Sequence, residues 1–208
     1  MWEFGKQQHG KGFNVMSKEK IILTDIDGVV LDWEIQFHNW MKERGHSIVR
    51  YDVYDIGETY SMAYNKAESL VEDFNTSAYV IDLPSFRDAI SGIASLRDGG
   101  YSFIAITSIG DNYHTDMLRR INLENCFGKN VFREIHCINE NKRPLLEKYK
   151  DISDFWIEDT PKNAEIGIEI GYKTFLFNHL HNQFYMNDKV IRVDKWKEIS
   201  ETILNATW

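Results

Sequence analysis

The sequence predicts an α/β protein in which a parallel β-sheet lies between two layers of helices, with a small helical cap inserted after the first strand. Three observations predict this class. Short apolar, β-branched segments without polar alternation are typical of strands that are buried on both faces. Helical patterns alternate with these segments, as in βαβ units. Residues 33–83 depart from the alternation, because they are rich in Tyr, Asp, Glu and Asn and contain no strong strand pattern.

The core is predicted to comprise residues 18–32 and 84–208. Glycines after the helical patterns mark helix ends, as at Gly45, Gly99 and Gly171. The predicted strands of the core are 20–26, 101–107, 131–138, 154–157, 173–177 and 190–193. The predicted helices of the core are 84–97, 112–122, 144–150 and 161–170, with one more helix after the last strand.

The predicted cap comprises residues 33–83, with helical patterns over 31–44 and 60–74. Its tyrosines either line a substrate cleft or pack the cap, and the sequence does not separate these two roles. Residues 1–17 have no apolar periodicity, so we expect a disordered extension there. The tyrosines in question are Tyr51, Tyr54, Tyr60 and Tyr64.

Composition excludes several classes of protein. The 208 residues suffice for one well-buried domain with an insertion. The net charge of −8 disfavours polyanions, so duplex nucleic acid is not an expected partner. No apolar run reaches the length of a membrane helix and no secretory signal is visible, so no membrane partner is expected. Cys126 and Cys137 match no zinc or redox spacing, which favours two free thiols in a reducing cytoplasm.

Polar and charged residues follow four of the predicted strands at the point where each strand ends. Ligands of open α/β sheets bind beyond the carboxyl ends of the strands, so these positions are the candidates for a site. They offer carboxylates, hydroxyls and one ammonium group. The candidate residues are Asp25, Asp27, Thr107, Ser108, Lys142, Glu158 and Asp159.

This set of groups suits phosphoryl transfer. Asp25 can attack phosphorus and form an aspartyl-phosphate. Asp27 faces the same side in an extended segment, so it can protonate the leaving oxygen and then activate water. Crowded carboxylates repel one another unless a cation lies among them, and Mg²⁺ prefers such oxygens. The expected metal ligands are Asp25, Asp27, Asp159 and Glu158, and the expected phosphate-binding residues are Thr107, Ser108 and Lys142.

Each of these elements also has a non-catalytic interpretation. An Asp-x-Asp-Gly sequence after a strand is often a turn or a helix cap, and Thr-Ser commonly caps the next helix. A single lysine such as Lys142 is most often solvated, and Glu158-Asp159 before Thr160-Pro161 is a plausible cap region. Because all four elements occur in order, each at a strand end, the set favours a site.

The ordered pattern resembles the four motifs of the haloacid dehalogenase superfamily over residues 20 to 177. Its parts are Ile-Leu-Thr-Asp25-Ile-Asp27-Gly28-Val, Ile-Thr107-Ser108, Lys142 and Trp-Ile-Glu158-Asp159. The resemblance implies a Rossmann-like core, Asp25 as nucleophile, Asp27 as general acid and base, Thr107 on the phosphate, Lys142 orienting both, and Asp159 on Mg²⁺. It leaves Glu158 as a ligand or a neighbour of one. The presence of Asp27 indicates the phosphatase branch rather than the dehalogenase branch.

The segment Asp-Ile-Asp-Gly-Val-Val-Leu-Asp-Trp resembles the 5′(3′)-deoxyribonucleotidases. Those enzymes carry an aromatic residue six positions after the second Asp, where it stacks on the nucleobase, and Trp33 has that spacing here. Phe37, one helical turn further on, would extend the same surface. Alternatively, both rings only anchor the cap. Ile109 departs from the pattern, because those enzymes usually have Pro there.

Three functions stay open on the sequence. The first is a nucleotidase acting on nucleoside monophosphates, the second a phosphatase of another small phosphomonoester such as a sugar phosphate, and the third a non-catalytic binding module. The expected partner is a small phosphorylated substrate, and a homodimer is an open alternative for assembly. His179 and His181 could bind a metal, but a surface turn is the simpler interpretation.

Overall fold

The structure, a computed structural model, describes residues 20–139 and 141–206, so the extension expected at 1–17 lies outside the described residues. Six parallel strands form one sheet, as the sequence predicts. The strands are β1 (Lys20–Thr24), β2 (Tyr101–Thr107), β3 (Phe132–Cys137), β4 (Ser153–Glu158), β5 (Lys173–Phe177) and β6 (Val190–Val193). Their order is β3-β2-β1-β4-β5-β6, which places β1 at the centre. Thr24 pairs with Ala105 on one side and Ile157 on the other.

Two helical layers cover the sheet, because neighbouring strand residues face opposite sides. Ile22 packs with the cluster beneath α4, α5 and α8, whereas Leu23 packs with the cluster beneath α6 and α7. The helices are α1 (Trp33–Glu43), α2 (Ile56–Tyr60), α3 (Tyr64–Asn75), α4 (Ala89–Asp98), α5 (Tyr113–Phe127), α6 (Arg143–Tyr149), α7 (Pro161–Ile170) and α8 (Trp196–Asn205). Within the described part of the chain, no helix is both long and apolar enough to span a bilayer.

The start of α4 differs from the prediction of a helix from Pro84. The preceding segment is instead tied to the loop after β1: the Pro84 carbonyl accepts from the Asp32 amide at 2.8 Å, and the Phe86 amide donates to Val30 at 2.8 Å. A left-handed residue, Arg87, then turns the chain into the helix. These two hydrogen bonds fix the loop after β1, which carries Asp25 and Asp27.

The predicted helix over 60–74 corresponds to α3, and α2 before it was not predicted from the sequence. Ser61 adopts a left-handed conformation with φ of 51° and ends α2, and Ala63 precedes α3. Another boundary also moves, since α5 continues to Phe127 rather than ending at Asn122. Helical patterning identified α3 and α5, but the break between α2 and α3 depends on one backbone conformation that serine only rarely adopts.

The cap packs on the core through one continuous apolar cluster. Phe37, Trp40 and Phe74 of the cap belong to the same buried cluster as Phe103 and Phe155 of the sheet. Phe37 is 0% exposed and stacks on Trp33 with ring centroids 4.5 Å apart. The helices α1, α2 and α3 therefore stand over the carboxyl ends of the central strands as one body with the sheet.

Candidate active site

The loop after β1 presents Asp25 at the carboxyl edge of the sheet. The Asp25 amide donates to the Ile157 carbonyl of β4 at 2.8 Å, so the sheet ladder continues to this residue. Its Oδ1 accepts from the Ile26 amide at 2.7 Å. Gly28 then turns the chain with φ of 74°, and a Cβ there would lie 2.5 Å from Asp159 Oδ2. Only glycine allows the loop and Asp159 to come so close.

Lys142 bridges two buried carboxylates. Its Nζ lies 2.8 Å from Asp25 Oδ2 and 2.9 Å from Glu158 Oε2, and Lys142 is only 2% exposed. The interpretation of a solvated surface lysine is therefore wrong. Burial alone would lower the pKa of Lys142, but the charges of Asp25 and Glu158 outweigh it and raise the pKa above the usual value. The ammonium group is thus held protonated beside Asp25.

Asp25, Glu158 and Asp159 form a cluster in which each offers an oxygen within 4.8 Å of the others. Burial, followed by the charge of Glu158, raises the pKa of both Asp25 and Asp159 well above the usual range. Three carboxylates face a single ammonium group, so the cluster carries excess negative charge. An all-oxygen donor set with that charge fits Mg²⁺.

Glu158 differs from the other two carboxylates because it has four partners, whereas each oxygen of Asp25 has one. Its Oε1 accepts from the Asp159 amide, the Thr160 amide and the Thr160 hydroxyl at 2.9 to 3.1 Å, and its Oε2 contacts Lys142. Burial opposes its ionisation, but Lys142 and these donors outweigh burial and lower the pKa of Glu158 below its usual range. Glu158 is therefore suited to holding Lys142, and Asp25 and Asp159 have the freer oxygens.

Asp27 lies apart from that cluster and faces Arg119 of α5. Arg119 Nη2 donates to Asp27 Oδ2 at 3.0 Å, and Nη1 lies 2.9 Å from Oδ1 as an ion pair without hydrogen-bond geometry. Burial raises the pKa of Asp27, and Arg119, Lys142 and a hydrogen bond with Thr107 oppose that rise. The side chain of Asp27 is thus paired with Arg119 and does not join the clustered carboxylates, where the sequence analysis expected it as a ligand.

The other expected residues divide between the surface and the interior of the site. Ser108 is exposed on the cleft, whereas the buried Thr107 directs its hydroxyl to Asp27. Trp33 lines the cleft, and its Nε1 donates to Asn75 Oδ1 at 2.8 Å. Phe37 is buried and does not line the cleft, so the expectation that it touches a substrate is wrong. Its ring instead stacks on the ring of Trp33.

A cleft of about 1010 Å³ lies between the cap and the carboxyl edge of the sheet. Its floor includes Asp27, Gly28 and Asp159, and Asp25, 7% exposed, lies beside them. Tyr54 lines the cleft from the cap, and its ring centroid lies 5.2 Å from that of His181. The cleft is large enough for a small-molecule ligand.

Sequence reasoning missed several residues of this site. His179 Nε2 lies 2.8 Å from the Gly28 carbonyl, so this nitrogen carries the proton, and its ring stacks on Phe86 and His181. His179 is partly buried two residues after the end of β5, so the strand-end criterion could have placed it in the site. Arg119 gave no local signal, because it is brought to Asp27 from mid-helix.

Comparisons with known proteins agree with the fold described above. No family model matches the chain. An uncharacterised 32.4 kDa protein of Enterobacteria phage T4 is 27% identical over 161 residues, which are 72% of this chain and 57% of that protein. The chain therefore spans little more than half the length of that relative.

Solved structures resemble the chain over most of its length. A haloacid dehalogenase-like hydrolase from Streptococcus pneumoniae has a TM-score of 0.63 at 15% identity, covering 90% of this chain and 100% of that one. A predicted phosphatase from Clostridium acetobutylicum has a TM-score of 0.61 at 12% identity, covering 91% and 100%. A D,D-heptose 1,7-bisphosphate phosphatase from B. bronchiseptica, complexed with magnesium and phosphate, has a TM-score of 0.55 at 12% identity, covering 89% and 98%. The chain has the fold of the haloacid dehalogenase-type hydrolases.

Proposed function

We propose that the protein is a phosphatase that hydrolyses small phosphomonoesters through a phosphorylated Asp25. The observation that carries this proposal is the position of Asp25. This residue directly follows the central strand β1, and its carboxylate lies 2.8 Å from the Lys142 ammonium group. It adjoins a cleft large enough for a substrate. The fold shared with known phosphatases supports it.

The reaction that we propose has two displacements. In the first, an Asp25 oxygen attacks phosphorus, the bond from phosphorus to the leaving oxygen breaks, and Asp27 gives that oxygen a proton. In the second, Asp27 takes a proton from water as the water oxygen attacks phosphorus. The bond to Asp25 then breaks and releases inorganic phosphate. Each oxygen of Asp27 keeps a lone pair beside its Arg119 contact, so the pairing does not block the proton transfers.

Magnesium is the metal that we propose for the site. Asp25 and Asp159 are the residues that would hold it, and Glu158 completes the acidic surroundings. The ion would neutralise charge on the phosphoryl oxygens. Lys142 performs a related task from the other side, because its ammonium group opposes the rise in the pKa of Asp25 and orients the carboxylate.

For the substrate we propose a nucleoside monophosphate. Trp33 supports this choice, since its partly exposed ring lines the cleft and is fixed by Asn75 on one side and Phe37 on the other. A rigid aromatic face favours a planar base.

A screen of phosphomonoesters tests the proposal, with released phosphate measured in Mg²⁺ and in chelator. We expect turnover in Mg²⁺, little turnover in chelator, and loss of several orders of magnitude in Asp25→Asn. Asp98→Asn makes the same change at an exposed position on α4 and should keep full activity. Normal turnover by Asp25→Asn would show that another group is the nucleophile, and no turnover of any phosphomonoester by the wild-type protein would favour a binding module.

A further inference from the structure

One face of α3 forms the wall of the cleft opposite the sheet. Six residues at helical spacing lie on this face, and all of them line the cleft. The cap wall, as we call this set, consists of Tyr64, Ala67, Glu68, Val71, Glu72 and Asn75. A ligand whose phosphate lies at Asp25 would place its leaving group between Trp33 and this wall.

Asn75 presents an unused hydrogen-bond donor at the wall. The residue is 7% exposed, and its Oδ1 accepts from Trp33 Nε1. Because an indole nitrogen can only donate, that bond fixes which end of the amide is oxygen. Among the described residues, no partner accepts from Nδ2 of Asn75. Asn75 lines the cleft, where this nitrogen can donate to an acceptor on a ligand.

The charge of the cleft restricts what else that ligand can carry. Among the described residues that line the cleft, none is a lysine or an arginine. The nearest buried cations are already paired, Lys142 with Asp25 and Glu158, and Arg119 with Asp27. On the cap wall, Glu68 accepts from the Tyr64 hydroxyl at 2.6 Å, and Glu72 is exposed. A second anionic group on the ligand would therefore meet carboxylates with no cation to offset them.

We propose that the cap wall selects a phosphomonoester whose leaving group is uncharged and carries a hydrogen-bond acceptor for Asn75, and that it rejects leaving groups with a second anionic group. This inference rests on the proposed function and narrows its substrate class. Nucleoside monophosphates fit it, whereas nucleoside bisphosphates and phosphorylated carboxylic acids do not.

The test compares two ligands that differ by one phosphate, uridine 5′-monophosphate and uridine 3′,5′-bisphosphate. Hydrolysis of the 5′-phosphate is measured with the wild-type protein, and binding with Asp25→Asn, so that binding is read even if no ligand turns over. We expect at least about tenfold preference for the monophosphate in both measurements. Glu68→Gln/Glu72→Gln should reduce that preference several-fold, and Asn75→Ala should weaken binding of the monophosphate about tenfold.

The matched control is Glu124→Gln/Glu201→Gln, which removes the same charge from exposed helix positions outside the cleft and should leave the preference unchanged. Equal binding of the two ligands, or a preference that survives neutralisation of the cap wall, overturns the inference. Selective binding without turnover supports the inference and refutes the proposed function, so the two failures are distinguishable.

Discussion

Replacement of Lys142 by methionine tests the arrangement at the centre of the site. The side chain keeps a similar length but loses the charge that bridges Asp25 and Glu158 at 2.8 and 2.9 Å. Both carboxylates are buried, at 7% and 0% exposure, so the variant holds two like charges without their cation. Breaking a buried pair by removing one partner typically costs about 3–5 kcal/mol, and we expect a loss of unfolding free energy in that range at pH 7.

The pH dependence of this loss has a definite sign. Without Lys142 the folded pKa of Asp25, already raised by burial, rises further above its unfolded value. A carboxyl group with a raised folded pKa lowers stability as the pH rises, because the unfolded chain ionises first. The cost of Lys142→Met should therefore shrink as the pH falls toward 4.

Urea denaturation followed by tryptophan fluorescence measures both effects, without added metal. Lys197→Met is the matched control, since Lys197 is 72% exposed and its contact with Glu201 is 3.7 Å long. An exposed pair of this kind contributes at most about 1 kcal/mol. The reasoning would be refuted if Lys142→Met lowered the free energy of unfolding by less than about 1 kcal/mol, or if this loss grew as the pH falls.

Three other predictions concern proton transfer, substrate stacking and pH. Asp27→Asn should lower turnover of alkyl phosphates by roughly 10²–10⁴-fold and turnover of p-nitrophenyl phosphate much less, because the nitrophenolate leaves without a proton; equal losses would count against Asp27 as the general acid. Trp33→Ala should lower kcat/KM for nucleoside monophosphates by an amount equivalent to about 1–3 kcal/mol, and it should leave kcat/KM unchanged for a phosphate without a base. Equal effects on both substrates would make Trp33 purely structural. Burial lowers the pKa of His179 from 6.5 to about 4, so the unfolded chain takes up a proton first as the pH falls. The free energy of unfolding should therefore decrease as the pH falls from 6.5 to 4, by at most about 3 kcal/mol. His179→Gln should flatten that part of the stability profile in thermal melts, and an unchanged slope would contradict the assignment.

The sequence predicted the sheet well because most of the strands are short apolar runs bounded by turn residues. β2, β5 and β6 have the predicted bounds. Elements whose limits depend on tertiary contacts were harder to place, as the delayed start of α4 shows: main-chain bonds from Asp32 and Phe86 hold the preceding residues extended. No local pattern contains that information.

The candidate site was predictable to the extent that it follows strand ends. Asp25, Lys142 and Asp159 converge because parallel strands place their carboxyl ends together. Arg119 lies in the middle of α5 and Asn75 at the last position of α3, where charged and amide residues are usually solvated, so only the folded chain reveals them. The homodimer, the cytoplasmic location and the catalytic roles stay predictions.

The continuous apolar cluster beneath the cap has a consequence for how ligands enter and leave. Swinging the cap away as a unit would separate its segment Ala78–Asp82 from α5 and expose the buried Val80 to water, at roughly 1.5–3 kcal/mol for a large apolar side chain. The outer segment carries little such cost, because Val49, Tyr51 and Tyr54 are already 58–67% exposed. We therefore expect ligands to enter and leave the cleft through movements of residues 46–55. The cap helices α1 and α3 should stay packed on the core throughout turnover.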